Sequence, residues 1–333
     1  MFCKEFRKKR FYSQGKMLLS QMASTDKLDH YMLPKTMQAI FEVRIDSGLG
    51  GEEVEIAMMN DMHINSFTKE DEKNEDLMRT KACRSWNAEG SSIPSIKGAM
   101  DVAQFADQTV IAGDTLDFLS EGTKKIMKKY VFDRDPNVLC AVGSHEFSHL
   151  VQCGGVEKVP YAERRKEVQD FWIHDIAYAT KDVKDKVICV ILDNAHGHYL
   201  DCEVEKLQAD VDRARKENKI ILIFQHEPVS TGNPEQQKQP TLYEAYVPKA
   251  NYYDGEFIFS KNKEMTEADK AIYEIMKNST DVIKGIFCGH LHSLFYNEVM
   301  FETEDGVKII PQYTCIGNTY FAYKGVVTRI FVK

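Results

Sequence analysis

Short apolar runs alternate with amphipathic stretches along most of this chain. Apolar runs of strand length occur at residues 109–112, 138–142, 187–192, 220–224 and 283–288. A stretch with helical periodicity precedes each of them, at residues 96–106, 120–130, 161–171, 203–217 and 266–276. Alternation of this kind favours crossover connections between strands and predicts an α/β fold.

Other parts of the chain follow different patterns. Residues 40–44 and 54–60 are strand-like and are separated by a glycine-rich turn, which predicts a hairpin leading into the main domain. Residues 69–76 are dense in charge and are predicted to form a solvated loop. Residues 293–333 contain strand-like runs without a clear helix, which favours a mostly antiparallel second sheet.

One long connection, at residues 231–263, has no regular pattern and is rich in proline and aromatic residues. Connections longer than about 12–15 residues are often lids over a binding site, or disordered. Two alternatives stay open for this one, an ordered flap that faces the substrate and a packed surface excursion.

The composition is typical of a globular protein in water. Of the 333 residues, 43% are hydrophobic, and no apolar run approaches the roughly 20 residues that span a bilayer, so we expect no membrane association. The net charge of −8 disfavours nucleic-acid binding, which needs a basic surface. The basic start of the chain lacks the apolar segment of a secretory signal, and the eight cysteines form no CxxC pair. A reduced, cytoplasmic protein is therefore expected.

Histidine and aspartate residues cluster where the apolar runs stop. In chain order the blocks are Asp61-Met62-His63, Gly113-Asp114-Thr115-Leu116-Asp117, Gly143-Ser144-His145-Glu146, His226 and Gly289-His290-Leu291-His292. Ligands bind at the carboxyl ends of strands in open α/β sheets, so we expect these distant blocks to converge there. Carboxylate and imidazole together suit Mn, Fe and Zn, and the sequence therefore predicts a site for two divalent metal ions.

The order of these blocks resembles the calcineurin-like metallophosphoesterase superfamily, whose pattern is DxH, GDxxD, GNH(D/E), a lone histidine and GHxH. The match runs from Asp61 to His292. The resemblance implies a four-layer sandwich of two mixed β-sheets flanked by helices. It places this phosphoesterase domain at residues 50–333, after a basic extension and hairpin lead-in at residues 1–49.

The resemblance also implies which residues bind the two metal ions. Asp61, His63 and His292 would bind one ion, and His226 and His290 would bind the other. An aspartate of the GDxxD block, Asp114, would bridge them.

Ser144 is the one departure from the family pattern, which has asparagine at this position as a ligand of the second ion. A serine hydroxyl is shorter and a poorer neutral ligand than an amide oxygen. We therefore expect weaker occupancy of the second metal site and an unchanged fold, and we favour a working enzyme with a labile ion over an impaired one.

The family resemblance implies hydrolysis of a phosphomonoester or phosphodiester by attack of a dimetal-bound hydroxide. His145 would be the general acid that protonates the leaving group, and Asp117 would orient it. Phe118 follows Asp117 where protein serine/threonine phosphatases have arginine, which disfavours that branch. A small phosphorylated substrate is expected, and a small monoester, a nucleotide and a phosphodiester stay open. Three weaker candidates for substrate binding are Arg84, His196 and His198.

Two other functions are weighed against hydrolysis of a phosphoester. A non-catalytic protein on the same fold would use the site to bind metal or a phosphorylated ligand. A zinc protease is the third alternative, because residues 145–149 match HExxH, with Glu163 or Glu167 as a further ligand. That motif must lie within a helix, whereas the preceding apolar run predicts a strand that ends in a turn.

Overall fold

The computed structural model describes residues 8–12, 38–84, 89–147, 159–195, 197–229, 265–292, 294–318 and 325–333. Its strands are β1 (Lys8–Tyr12), β2 (Gln38–Ile45), β3 (Val54–Met59), β4 (Gln108–Ala112), β5 (Leu139–Ala141), β6 (Tyr178–Val183), β7 (Val187–Leu192), β8 (Ile220–Gln225), β9 (Ile283–Cys288), β10 (Phe295–Thr303), β11 (Gly306–Thr314) and β12 (Gly325–Val332). Its α-helices are α1 (Glu75–Cys83), α2 (Ile93–Ala103), α3 (Glu121–Met127), α4 (Ser144–Phe147), α5 (Tyr161–Phe171), α6 (Asp201–Glu217) and α7 (Glu267–Asn278). The connection at residues 231–263 lies outside the described residues.

The strands form two mixed sheets of six strands each. The order in the first sheet is β1-β2-β12-β3-β4-β5, and in the second it is β10-β11-β9-β8-β7-β6. Side chains from both sheets share one hydrophobic cluster, and two further clusters pack helices against the outer faces. The architecture is therefore a four-layer α/β/β/α sandwich, as predicted.

Helices and the partner sheet cover the two faces of each sheet, and this explains why its central parallel strands are largely apolar. Side chains point alternately to the two faces of a strand. In β4, Val110 packs between the sheets and Ile111 packs under the helices. In β7, Ile188 packs under the helices and Cys189 packs between the sheets.

The five predicted helices begin and end close to the predicted positions, whereas α1 and α4 were not predicted. Local capping agrees with the hydrophobic pattern where the prediction holds. At the start of α7, the Thr266 hydroxyl accepts the Asp269 N–H at 3.1 Å, and the Asp269 carboxylate accepts the Thr266 N–H at 2.8 Å. This reciprocal capping box satisfies two backbone donors of the first turn. Ile272 and Met276, on one face of the helix, pack against the second sheet.

β2 and β3 do not form the predicted hairpin. β12 lies between them, parallel to β2 and antiparallel to β3. Residues 38–45, which we assigned to a lead-in, therefore lie inside the first sheet. The prediction of a separate antiparallel sheet at residues 293–333 is also wrong, because β10 and β11 extend the second sheet and β12 joins the first.

The charge-dense stretch at residues 69–76 is mostly exposed, as predicted, but it is not a simple loop, because one of its carboxylates is buried and α1 begins within it. Asp71 is buried, and its carboxylate accepts backbone N–H groups of Thr68 at 2.6 Å, Glu121 at 2.9 Å and Gly122 at 3.0 Å. Burial alone would raise the pKa of Asp71, but these hydrogen bonds outweigh it and lower the pKa below its ordinary value. Asp71 thereby joins this stretch to the first turn of α3.

Two observations concern membrane-spanning helices and the oxidation state of the cysteines. Among the described residues, no helix combines the length and the apolar character needed to cross a membrane. Cys83, at the end of α1, is disulfide-bonded, which differs from the reduced cysteines that we expected. Cys140, Cys189 and Cys288, by contrast, are free and buried.

Candidate metal centre

The predicted blocks lie at the carboxyl ends of parallel strands from both sheets. Residues 61–63, 113–117 and 143–146 follow β3, β4 and β5 of the first sheet. His226 follows β8 and residues 289–292 follow β9 of the second sheet. Because the two sheets face each other, these loops meet at one edge of the sandwich.

Asp61, His63 and His292 form the first group of candidate ligands, with ligand atoms within 4.8 Å of one another. The Nε2 atom of His292 is 3.1 Å from Asp61 Oδ1 and 3.2 Å from His63 Nε2. One carboxylate oxygen and two imidazole nitrogens thus converge, which suits a divalent transition metal. These are the residues predicted for the first ion.

Asp114, His226 and His290 form the second group, by the same distance criterion. The Nε2 atom of His226 is 3.1 Å from Asp114 Oδ2 and 3.2 Å from His290 Nδ1. Asp114 Oδ2 is also 3.9 Å from His63 Nε2 of the first group. Asp114 therefore faces both groups, as a bridging carboxylate must. The metal-binding role of each residue stays a prediction.

Neighbouring oxygen atoms orient two of the candidate histidine ligands. Nδ1 of His226 lies 3.2 Å from the Ala112 carbonyl oxygen. Nδ1 of His63 lies 3.0 Å from Asp117 Oδ1. A hydrogen bond at Nδ1 fixes the tautomer and leaves Nε2 to bind a metal ion.

Burial and neighbouring charges set the protonation of the candidate ligands. Burial and the nearby His145 lower the pKa of His63 to about 4, and burial and His226 lower the pKa of His290 to about 3. Both are thus neutral at physiological pH, the form that binds metals. Burial opposes a charge on His226, but Asp114 outweighs it and raises the pKa to about 10. A proton and a cation therefore compete for His226 Nε2.

Five candidate ligands have a backbone conformation that residues other than glycine rarely adopt. Their φ angles are 46° for Asp61, 43° for His63, 46° for Asp114, 67° for His290 and 50° for His292. In the described part of the chain, the other non-glycine residues with positive φ are Lys184, Asp185 and Asn218. Each such residue costs about 1–2 kcal/mol, and strain of this kind concentrates at functional sites.

Gly143 and Gly289 are required because candidate ligands lie directly against their backbones. A Cβ atom at Gly289 would lie 2.6 Å from Asp61 Oδ2. A Cβ atom at Gly143 would overlap the Asp114 carboxylate. Any side chain at either position would displace an aspartate, which explains why these blocks begin with glycine.

His145 faces the candidate ligands through one ring nitrogen. Its Nε2 atom is 3.8 Å from Asp114 Oδ2, and its Nδ1 atom is 3.0 Å from the Asp117 carbonyl oxygen. Its backbone N–H donates to Asp114 Oδ1 at 3.0 Å. Ser144 lies between Gly143 and His145 in the chain, and both of these residues contact Asp114. Ser144 is therefore adjacent to the cluster of candidate ligands.

The predicted strand before the HExxH motif is present and ends at Ala141, but His145 and Glu146 lie in α4, so the expectation that the motif lies outside a helix was wrong for its described residues. The Glu146 carboxylate accepts the N–H of Gly143 at 2.7 Å and that of Leu116 at 2.8 Å. Burial and the Asp114 charge raise the pKa of Glu146 to about 8. The two carboxylate oxygens of Glu146 thus hold the loops of two blocks together. Because both oxygens already accept hydrogen bonds, this argues against Glu146 as the general base of a protease. His149 lies outside the described residues.

The weaker candidates for substrate binding occupy different surroundings. Arg84 is not on the open surface, because its guanidinium is paired with the Asp117 carboxylate. His198 Nδ1 lies 2.6 Å from Asp269 Oδ2, which attaches its loop to the start of α7. His196 lies outside the described residues.

Asn194 is a residue of the centre that sequence reasoning missed. Its side-chain oxygen accepts the N–H of His226 at 3.2 Å and that of Glu227 at 3.0 Å. Its amide also donates to the Glu227 carbonyl oxygen at 2.7 Å. Asn194 thus holds the loop after β8, and its only sequence signal is its position after the apolar run of β7.

No protein-family model matches the sequence of this chain, and no curated protein matches it either.

Several solved structures are similar to the chain at low identity. A dimetal phosphatase from Danio rerio is 11% identical, with 80% of this chain and 88% of that chain covered and a TM-score of 0.38. Purple acid phosphatase PPD1 from yellow lupin (Lupinus luteus) is 11% identical, with 85% of this chain and 47% of that chain covered and a TM-score of 0.47. Calcineurin-like phosphoesterase YfkN from Bacillus subtilis is 13% identical, with 80% and 82% covered and a TM-score of 0.31. This chain spans about half the length of the lupin protein, and similarity at this level does not identify its reaction.

Proposed function

We propose that this protein is a hydrolase of phosphoric esters, a metal-dependent phosphoesterase with His145 as its general acid. The observation that supports this most strongly is the position of His145 Nε2, 3.8 Å from the Asp114 oxygen that faces both groups of candidate ligands. A site that bound metal only for stability would not need an imidazole aimed at it and held by a second aspartate, Asp117.

The donor atoms present fit two divalent ions of Mn, Fe or Zn. The proposed ligands are, in chain order, Asp61, His63, Asp114, Ser144, His226, His290 and His292. When bound, the ions would supply positive charge for the phosphoryl oxygens and would lower the pKa of a water molecule towards neutrality. The Asp114 carboxylate, placed between the two groups, would offset the repulsion between the two cations.

His145 would donate a proton to the departing alkoxide. Because the Asp117 carbonyl accepts from Nδ1 at 3.0 Å, the transferable proton of the imidazolium would be the one on Nε2. The Asp117 carboxylate oxygen, 3.3 Å from Nδ1, would help to orient the ring. General acid catalysis of this kind contributes about 10²–10⁴-fold to a rate.

Hydrolysis of two simple esters tests the proposal. The protein would be stripped of metal, reloaded with Mn²⁺, and assayed with an aryl phosphate monoester and an aryl phosphodiester. We expect Mn²⁺-dependent turnover of at least one ester, and the ratio of the two rates would indicate the preferred substrate class. If Mn²⁺ binds and neither ester is hydrolysed, the proposal is contradicted for simple aryl esters.

The second candidate is a non-catalytic protein that binds metal or a phosphorylated ligand on the same fold. The observation that favours it is Ser144, which offers a weaker ligand than asparagine beside Asp114. The two candidates differ in turnover and agree in metal binding, so the ester assay separates them.

We expect Ser144→Asn to strengthen binding of the second ion by at least about tenfold and to raise turnover, because an amide oxygen reaches further and coordinates better than a hydroxyl. Competition with a chelator would measure Mn²⁺ affinity in both proteins. Thermal unfolding of the metal-free proteins would show that the fold is unchanged. Equal titrations of the two proteins would contradict this role for residue 144.

A small phosphorylated molecule is the proposed substrate, and the net charge of −8 disfavours nucleic acid in that role. A cytoplasmic location stays a prediction from the cysteine pattern. The disulfide at Cys83 argues against it, since disulfides are rare in the cytosol.

A further inference from the structure

Arg84 contacts the candidate metal centre from outside the five blocks. It directly follows α1, and its backbone N–H donates to the Thr80 carbonyl oxygen at 2.8 Å. Its side chain is only 12% exposed. The guanidinium donates to both carboxylate oxygens of Asp117, from Nε to Oδ2 at 3.1 Å and from Nη2 to Oδ1. This two-point pairing is the strongest geometry available to an arginine and a carboxylate.

The same Asp117 carboxylate contacts two histidines of the centre. Asp117 Oδ1 is 3.0 Å from Nδ1 of His63 and 3.3 Å from Nδ1 of His145. The Asp117 side chain is fully buried, so its orientation depends on the groups packed against it. Of these three neighbours, Arg84 alone carries a permanent charge.

The region that presents Arg84 is attached to the loop that carries Asp117. Asn74 caps α1 by accepting two backbone N–H groups of its first turn. The ammonium group of Lys81, on α1, lies 4.6 Å from the centre of the Phe67 ring. That ring stacks on Phe118, the residue after Asp117, with centroids 4.8 Å apart. The cap of α1 and the contacts between Lys81, Phe67 and Phe118 thus set the position of Arg84 relative to Asp117.

We propose that Arg84 is a positioning residue that holds the Asp117 carboxylate in the orientation that His63 and His145 need. A carboxylate partner fixes the tautomer and ring orientation of a metal-binding histidine, and losing such a partner weakens metal affinity by about 10–100-fold. Without Arg84, Asp117 can rotate and both imidazoles lose their support. The effect on His145 rests on the proposed phosphoesterase function, whereas the effect on His63 concerns metal binding alone.

A phosphate clamp, the role considered for Arg84 from the sequence, would leave a different signature. The edge of the guanidinium formed by Nε and Nη2 suits two-point recognition of an oxyanion, and here it binds Asp117. A clamp would act on the substrate, so its loss would raise KM and leave metal affinity unchanged. A positioning residue would change metal affinity and kcat instead.

Arg84→Ala and Arg84→Lys test the proposal in the full-length protein, with Arg79→Ala as the matched control. Arg79 lies on α1 as well, but its side chain is 64% exposed and its ion pair is with Asp76. Chelator competition would measure Mn²⁺ affinity without substrate, and the aryl ester assay would give kcat and KM. We expect Arg84→Ala to weaken one Mn²⁺ by about 10–100-fold and to lower kcat with little change in KM.

Lysine should rescue only part of the loss, because its ammonium group cannot pair with both carboxylate oxygens in one plane. Arg79→Ala should match the unmodified protein in every measurement. Thermal unfolding of all variants would separate a local effect from misfolding.

Asp117→Asn completes the test as a double-mutant cycle. If Arg84 acts through Asp117, adding Arg84→Ala to Asp117→Asn should cause little further loss of Mn²⁺ affinity. A full additional loss of Mn²⁺ affinity in the double mutant would overturn the proposal. A raised KM with unchanged Mn²⁺ affinity in Arg84→Ala would also overturn it, and would indicate a phosphate clamp. Mn²⁺ affinity is measured without substrate. The double-mutant cycle therefore tests the role of Arg84 even if the protein does not hydrolyse phosphoesters.

Discussion

Replacing Asp114 with asparagine is expected to remove most metal binding and, with it, turnover. Asp114 Oδ2 lies 3.1 Å from His226 Nε2 and 3.9 Å from His63 Nε2, so one carboxylate serves both groups of candidate ligands. Removing one charge of a buried ionic cluster costs about 3–5 kcal/mol, or roughly 10²–10⁴-fold in affinity. Asparagine keeps the shape of the side chain and an oxygen that can accept the N–H of His145.

Elemental analysis after gel filtration would count the ions that remain bound to Asp114→Asn. We expect less than about one Mn²⁺ per chain under conditions in which the unmodified protein holds about two. Asp107→Asn makes the same chemical change beside the amino end of β4, where Asp107 pairs with Lys184, and should leave metal content unchanged. Two ions bound to Asp114→Asn with normal turnover would rule out a bridging role.

Replacing His145 with alanine is expected to reduce kcat by about 10²–10⁴-fold while both ions stay bound. His145 Nε2 faces the cluster but is not among the seven proposed ligands, so its loss should separate proton donation from metal binding. The burial of the ring is nearly complete, at 8% exposure, so truncation to alanine opens space only locally.

The leaving group supplies an internal check on the role of His145. A nitrophenolate departs without a proton, whereas the more basic phenolate of a phenyl ester needs one. The defect of His145→Ala should therefore be smaller for nitrophenyl phosphate than for phenyl phosphate. His174→Ala is the matched control, because the ring of His174 hydrogen-bonds to the backbone of Cys140 and Asp175 and not to a candidate ligand. An equal defect with both esters would contradict the acid assignment.

Local patterns were sufficient to locate most of the elements and all five blocks. β7, β9 and α5 have the predicted bounds, and for the two strands the reason is that buried parallel strands are largely apolar on both faces. The convergence of the blocks followed from a general property of parallel strands, that their carboxyl ends share one edge of a sheet.

Contacts between distant parts of the chain were not predictable in the same way. In the sequence, Asp71 cannot be told apart from the other charged residues of its polar stretch. Its hydrogen bonds to the first turn of α3, which the structure reveals, explain why it is buried. Arg84 and Asn194 lie outside every block. Arg84 pairs with Asp117, which contacts the proposed ligand His63, and Asn194 accepts the backbone N–H of the proposed ligand His226. The position of β12 between β2 and β3 depends on pairing between the two ends of the chain, which no local pattern encodes.

That position of β12 has a consequence for the order of events during synthesis on the ribosome. β3, the strand that leads to Asp61 and His63, pairs with β4 on one edge and with β12 on the other. Until residues 325–332 have emerged, a nascent chain carries β3 with one edge unpaired. Unpaired strand edges invite association with other chains, and contacts between distant residues form slowly. The nascent chain is therefore exposed to aggregation until β12 inserts, and the first sheet is complete only after residues 325–332 have been made.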